Sequence, residues 1–280
     1  SPEKKVNSLL NFIQKKINKK ILNAALWIIK RHVNRQQDLD LYTYNRTTDV
    51  LVPITWKARG ITQSNGKSSE IATNDWSNLD NLVDYENKIV VDVGASLGAT
   101  AQLFSTRASI VHAFEPHPRN YQFLLDQIKI RNKDNIFAYQ KAVSNQAGKV
   151  HFFGRESHGI HSLGEHNKGT VTETFEVEAI RLDDFWKQNI KDVVGLLKID
   201  VEGFELEVLQ GAAELLQKKK IEAVLFEFSP RIHRIRKIEA DAPMQFLNEC
   251  GYKVYTLDGK DFEASQSKSV KICDLIAFPE

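Results

Sequence analysis

From Ile89 to the end of the chain, short β-branched runs alternate with stretches of helical character. Ile89–Val93 stops at Gly94, and a helix is predicted from about Ser96. Ile110–Phe114 follows, with a helix from Pro118 to about Arg131 behind it, and Asn135–Tyr139 opens a third strand. Val194–Ile199 has the unbroken apolar character of a buried strand and precedes a predicted helix from Phe204 to about Lys219. Ala223–Phe228, a helix around Ala242–Cys250, and the strands Lys253–Leu257 and Ile272–Phe278 complete the series. Such alternation implies parallel strands, right-handed crossovers and helices on both faces of one sheet. Lys149–Phe153 and Thr174–Ile180 alternate in a two-residue period and are predicted to be inserted antiparallel strands. In a doubly wound sheet, ligands bind outside the carboxyl ends of the strands. Chemistry is therefore expected at residues 92–98, 114–117, 140–144, 200–203 and 227–230.

The first 86 residues read differently. Residues 1–35 carry nine Lys/Arg against one Glu, a balance of +8 in a chain whose total is +2, so the rest stands at −6. Val6, Leu9, Leu10, Ile13, Ile17, Ile21 and Ile28 recur at helical spacing, with lysines mostly off that stripe. This predicts a basic amphipathic helix that packs on its own domain, forms a dimer contact, or lies peripherally on an anionic membrane surface. Val50–Val52 and Ile54–Trp56 look extended around Pro53, and residues 62–69 read as a polar loop. The expected organisation is an appendage over 1–86 and a main domain over 87–280. No apolar run approaches the roughly 18 residues of a membrane span. Two cysteines, Cys250 and Cys273, form no C-x-x-C, and no signal-peptide pattern appears, so a cytoplasmic location is expected. The acidic body and the lack of an aromatic-basic motif argue against nucleic acid.

The first strand ends Asp92-Val-Gly94-Ala95-Ser96-Leu-Gly98. Gly94 permits a sharp turn and a close ligand approach, and Gly98 lets the helix start pack tightly. Glu115-Pro116 closes the next strand, 21 residues after Gly94, where a carboxylate can accept hydrogen bonds from both hydroxyls of a ribose. A dinucleotide site wants G-x-G-x-x-G and a cradle for pyrophosphate. Here the turn is D-x-G-x-x-x-G, and Asp92 beside it favours a ligand with a cationic end, such as a sulfonium.

The stretches VVDVGASLGATAQLF, VHAFEPHPRNYQFL, KAVSNQAGKVHFF, LLKIDVEGFELEVLQGA, LFEF and CDLIAFP, in that order, resemble the FkbM family of class I S-adenosylmethionine-dependent methyltransferases over about residues 87–280. The resemblance implies an α/β Rossmann-like fold whose seven-stranded, mostly parallel sheet runs 3-2-1-4-5-7-6 with the last strand antiparallel. It implies S-adenosylmethionine as methyl donor, S-adenosylhomocysteine as product, and O-methylation of sugars, glycans or polyketide-like metabolites. Carried over by position, Asp92, Gly94, Ala95 and Gly98 line the methionine end, with Ser96 inside the same turn. Glu115, followed by Pro116, holds the ribose, and Ala142 and Val143 flank the adenine.

An alcohol acceptor must lose a proton, which calls for a general base or a metal. Asp200 and Glu202 follow the fourth strand beside the cofactor. If the chain stays extended there, both carboxylates project to one side. They can share a proton or, with Glu227, hold a divalent cation through hard oxygen ligands. The competing reading gives Asp200 to the cofactor's amino group and Glu202 to the cap of the next helix. Lys198 is either a neighbour of this site or a charge partner. His151, His158, His161 and His166 crowd a glycine-rich stretch that suits a cap over the acceptor, and His161 or His158 is a second candidate base. The run Arg231, His233, Arg234, Arg236, Lys237 either meets an anionic acceptor or forms a solvated face. N-methylation on the same scaffold and a non-catalytic, cofactor-binding interaction protein are the competing functions. A nicotinamide enzyme lacks its glycine motif.

Overall fold

The computed structural model describes residues 42–45, 50–53, 79–155, 171–263, 265–266, 270 and 272–280. The predicted basic helix with its membrane or dimer contact, the 62–69 loop, Ile54–Trp56, and His158, His161 and His166 lie outside them. The chain divides into two compact units, Ser1–Ser69 and Glu70–Glu280. In the first, β1 (Tyr42–Asn45) pairs antiparallel with β2 (Val50–Pro53), Tyr42 opposite Pro53.

The second unit contains a short helix α1 (Leu79–Leu82), then β3 (Ile89–Val93), α2 (Ala99–Phe104), β4 (Ile110–Phe114), α3 (Pro118–Ile130) and β5 (Ile136–Tyr139). Three strands follow, β6 (Ala142–Val143), β7 (Gly148–Arg155) and β8 (Val171–Ile180). Next come α4 (Leu182–Phe185), which widens into a π-helical turn at Trp186–Ile190, and β9 (Val194–Ile199). The chain closes with α5 (Glu205–Gly211), α6 (Ala213–Gln217), β10 (Val224–Phe228), α7 (Pro230–Ile235), α8 (Ala242–Glu249), β11 (Tyr252–Thr256) and β12 (Cys273–Pro279).

Among the described residues, seven strands form one sheet in the order β11-β12-β10-β9-β3-β4-β5. Neighbours from β10 to β5 pair in parallel, and β12 runs antiparallel to both β10 and β11. This is the 3-2-1-4-5-7-6 order with the last strand reversed, as the resemblance implies. The strands are apolar on both faces because helices cover both. Val91, Val93, Leu197, Ile199 and Phe226 pack with Leu182, Val208, Leu216 and Leu247 from α4, α5, α6 and α8. Val90, Val111, Leu196 and Leu225 pack with Leu79, Phe104 and Leu124 from α1, α2 and α3. Val83 and Tyr85, upstream of Asn87, are buried in this second layer. None of the helices among the described residues is long and apolar enough to cross a membrane.

The inserted antiparallel pair appears as predicted, β7 with β8, and β6 joins β8 to make a three-stranded sheet. Phe152, Val177 and Ala179 close it on Ala142. Two expectations change. The helix predicted over 204–219 is two helices broken at Ala212. A Cβ on Gly211 would overlap the carbonyl oxygen of Ser144, so β6 sits directly against the end of α5. The 231–237 run, read as an acceptor contact or a solvated face, is not a uniform surface: Pro230–Ile235 forms α7, with Pro230 in its first turn fixing the helical φ, and His233 is buried.

Gly211→Ala is expected to lower the unfolding free energy by about 1–3 kcal/mol through overpacking against Ser144. Urea denaturation reads this directly, and an unchanged midpoint would contradict the close approach.

Candidate active site

Four segments meet at the carboxyl edge of the sheet, and each is built around a backbone that turns sharply. After β3, Gly94, Ser96 and Gly98 all have positive φ (79°, 49° and 88°). A Cβ on Gly94 would overlap the Asp200 carbonyl oxygen, so only glycine lets the turn after β3 touch the turn after β9. On Gly98 it would come within 2.6 Å of Leu124. The amides of this turn are directed into the protein. Gly94 N and Ala95 N both donate to Phe114 O at 3.0 Å, Gly98 N donates to Ala95 O at 2.8 Å, and Ser96 N donates to Glu115 Oε2 at 2.8 Å. A pyrophosphate cradle needs those amides pointing outward. Their inward direction accounts for the missing third glycine of a dinucleotide motif.

Glu115 lies at the end of β4 and is 4% exposed. Its Oε1 accepts from His117 N at 2.9 Å. Burial lifts its pKa to about 7, against the lowering pull of the His117 and Ser96 amides. A carboxylate held by backbone donors on both oxygens is rigid, with lone pairs left for ribose hydroxyls. Pro116 is half-buried beside it. His117 caps α3, its Nδ1 accepting from Arg119 N at 3.2 Å, and it packs edge-on against Phe175. Ala142 and Val143 form β6 and are both buried, Ala142 in the small sheet and Val143 in the main core.

Beneath the glycine turn lies a buried charge pair. Asp92 is 0% exposed, and its Oδ2 accepts from Thr100 Oγ1 at 2.6 Å. Lys198, 2% exposed on β9, reaches Asp92 Oδ1 at 3.1 Å, Gly94 O at 2.9 Å and Asp200 Oδ2 at 3.8 Å. Burial pulls the Lys198 ammonium down, but Asp92 and Asp200 lift it further, so its pKa is raised. Of the two readings of Lys198, the structure places it as a charge partner, and it ties the glycine turn to the end of β9.

The segment after β9 is not extended, which corrects the premise for Asp200 and Glu202. Glu202 and Gly203 have φ of 56° and 96°, and the chain folds into a turn. Glu202 is not the cap of the next helix either: Phe204 occupies the N-cap position, and no side chain caps it. Glu205, the first helical residue, instead reaches back into the turn, its Oε1 accepting from Val201 N at 3.3 Å and Gly203 N at 3.0 Å. The carboxyls nevertheless act on one another. Burial raises Asp200, and Glu205 and Asp92 add to the effect against Lys198. Burial, then Asp200 and Glu205, carry Glu202 up to about 8. Burial followed by Asp200, Glu202, Glu205 and Asp274 carries Glu227 up to about 10. Asp274 lies opposite Glu227 in the β10–β12 register. Glu227 Oε2 is buried without a hydrogen-bond partner among the described residues. At neutral pH Glu202 and Glu227 therefore hold protons and can donate hydrogen bonds. Among the described residues no three His, Cys, Asp or Glu side chains are arranged to hold a metal ion.

A family model described as the methyltransferase FkbM domain matches residues 92–254. The chain belongs to the FkbM methyltransferase family. It is 30% identical over 132 residues to the hexuronic acid methyltransferase AglP of Haloferax volcanii, a match over 47% of this chain and 53% of that protein. A solved FkbM methyltransferase from Methylobacillus flagellatus KT matches with a TM-score of 0.46 at 16% identity, over 71% of this chain and 45% of that one. A precorrin-6y C5,15-methyltransferase from Geobacter metallireducens GS-15 matches with a TM-score of 0.43 at 12% identity, over 77% and 94%. The chain thus spans about half the length of the first two proteins. The family's donor is S-adenosylmethionine. The inward amides of the glycine turn leave no cradle for a pyrophosphate, and the Glu115 carboxyl keeps lone pairs for hydroxyl donors. The expectation that Asp92 faces a cationic ligand is corrected, since Asp92 is buried and takes Lys198 as its cation.

Sequence reasoning passed over Thr100, Glu205 and Asp274. Glu205 was visible only as a favourable charge in a first helical turn.

Two outcomes follow from these geometries. Removing the ammonium in Lys198→Met strands Asp92 and is expected to cost about 3–5 kcal/mol of stability, measured by urea unfolding. A Glu115 that receives ribose hydroxyls binds best in its ionised form. With a pKa near 7, affinity for S-adenosylhomocysteine should rise about tenfold from pH 6 to pH 8. Calorimetry should show that rise lost in Glu115→Gln and kept in Glu202→Gln.

Proposed function

We propose that this protein is an S-adenosylmethionine-dependent O-methyltransferase whose acceptor is a hydroxyl of a sugar or glycan. The observation that carries the reading is the contact between the two turns: the backbone of Asp200 lies on Gly94, with no room for a side chain between them. In this reading Gly94, Ala95, Ser96 and Gly98 hold the methionine end of the donor and Glu115 its ribose, with Pro116 alongside; Asp92, fully buried and paired with Lys198, acts from beneath the turn and does not touch the donor. Ala142 and Val143 border the adenine through the backbone of β6, since their side chains are turned into the core.

S-adenosylmethionine supplies an activated methyl on a sulfonium. The chain's task is to align an acceptor oxygen with the C–S bond and to take its proton. Asp200, whose side chain is 38% exposed and faces Lys198, is the group placed to do so. Burial raises its proton affinity, and the Lys198 ammonium opposes that rise. Glu202 and Glu227, protonated at neutral pH, donate hydrogen bonds that orient the acceptor's other oxygens. The O–H bond breaks as the O–CH3 bond forms, the thioether leaves with the C–S electron pair, and the proton passes to Asp200. His161 is the alternative base. The relative's activity on hexuronic acid makes uronic acid glycosides the first acceptors to test.

The experiment is a radiolabelled methyl-transfer assay on a panel of hexuronic acid glycosides, neutral sugars and amines. A methyl ether product is expected. Asp200→Asn should lower kcat at least about a hundredfold while S-adenosylhomocysteine binding changes little, and His161→Ala should leave kcat near that of the wild type. Methylation of amines alone would overturn the O-methyl reading, and the reverse pattern of the two variants would move the base to His161.

A further inference from the structure

The 231–237 run is not uniformly exposed, and its two inward members both point at the turn that carries Asp200 and Glu202. His233 is 0% exposed, whereas Arg231, Arg234 and Lys237 face solvent. Its Nδ1 lies 2.9 Å from Ala240 O, and a carbonyl can only accept, so Nδ1 carries a proton. Its Nε2 lies 3.4 Å from Oε2 of Glu205, itself 0% exposed. The two side chains meet in a fully buried contact beside Asp200, Glu202 and Glu227, which fixes the Glu205 carboxyl from the side opposite the turn.

Arg236 makes the second attachment. Its guanidinium donates to Gly203 O and to both oxygens of Glu207, and it lies over the Phe204 ring, 3.6 Å from the centroid. A Cβ on Gly203 would overlap Ile232, so α7 presses directly on the turn. Residues 201–203 are thus gripped at both peptide polarities. Glu205 takes the N–H groups of Val201 and Gly203, and Arg236 takes the carbonyl of Gly203. A left-handed residue such as Glu202 persists only where its surroundings over-determine it.

We infer that α7 is a clamp for the catalytic turn, with Glu205, His233 and Arg236 as positioning residues that hold Asp200 and Glu202 against the glycine turn. None of the three is assigned contact with donor or acceptor. The inference rests on the methyl-transfer reading for its functional consequence and on the geometry alone for the clamp.

Two readouts separate these layers. Amide hydrogen exchange of the full chain reports the clamp directly. Glu205→Ala should speed exchange at Val201 and Gly203 at least tenfold, and Glu205→Gln should not. The amide of Gln can still accept from both N–H groups while donating to a neutral His233. Turnover reports the consequence. Glu205→Ala should lose at least tenfold in kcat with S-adenosylhomocysteine affinity within threefold of wild type, and Glu205→Gln should recover at least half of the lost kcat. Unaltered exchange or unaltered kcat in Glu205→Ala overturns the inference, as does an equal loss of kcat and affinity. If Glu205→Ala does not fold, Glu205→Gln together with Arg236→Lys decides. Arg236→Lys should speed exchange at Gly203, and wild-type exchange there or failure of Glu205→Gln to turn over overturns the clamp. A wild-type protein that methylates no acceptor would remove the functional reading, and exchange would then decide the clamp by itself.

Discussion

The ammonium of Lys198 is the interaction on which the site depends. It is buried within the sheet, and its partners come from three places in the chain: the side chain of Asp92 on β3, the carbonyl of Gly94 in the turn after it, and the carboxylate of Asp200 beyond β9. A buried charge is tolerated only when paired and hydrogen-bonded. Here that requirement forces the carboxyl ends of the first and fourth parallel strands into register. The missing side chain of Gly94 is the steric counterpart, since the turn cannot approach Asp200 with a Cβ in the way. Charge and shape thus demand the same arrangement.

One ammonium does not balance the carboxyls gathered around it. Burial and neighbouring carboxyls raise the proton affinity of Asp200, Glu202 and Glu227, and Glu202 and Glu227 retain protons at neutral pH. The site therefore offers hydrogen-bond donors where ionised carboxylates would otherwise repel one another. The same cluster bears on the cysteine in β12. Burial and then Asp274 and Glu227 push the Cys273 thiol up to about 11, which keeps it protonated and unreactive.

The fold was legible because its signal is periodic. Runs such as Val90–Val93 and Val194–Ile199 are apolar on both faces only in a covered parallel sheet, and their spacing left room for crossovers. Glu115 was legible for a similar reason, since its distance from Gly94 follows from one β-α-β unit. The 200–203 turn was not. Its extended reading depended on strand geometry continuing past Ile199, and nothing local in Asp-Val-Glu-Gly announces a left-handed Glu202. That conformation is held by Glu205 within the same turn and by Ile232 and Arg236, which come from about 30 residues further along the chain. His233 and Arg236 were hidden by composition, because a basic run looks like a solvated face until a helix turns two of its members inward. Lys198 was ambiguous for the opposite reason, a single charge in an apolar strand whose partners lie on other strands.

The two halves of the sheet divide the work. In the proposed reading, the β3–β4 half holds the donor through glycine conformation and one rigid carboxylate, so changes there act first on donor affinity. The β9–β10 half presents ionisable side chains whose proton occupancy is tuned by burial, and in the same reading changes there act first on turnover. Joining them is Lys198 beneath the turns, and α7 steadies the second half from outside. Coupling between the halves should therefore pass through two contacts, Lys198 to Gly94 and Asp200 to Gly94. The peptide of Asp200 lies directly on Gly94, so a displacement of the glycine turn must reach the second half through that contact. The proposed clamp at α7 would keep it from being absorbed there, which in the proposed reading lets donor binding set the position of Asp200 with no rearrangement of the sheet.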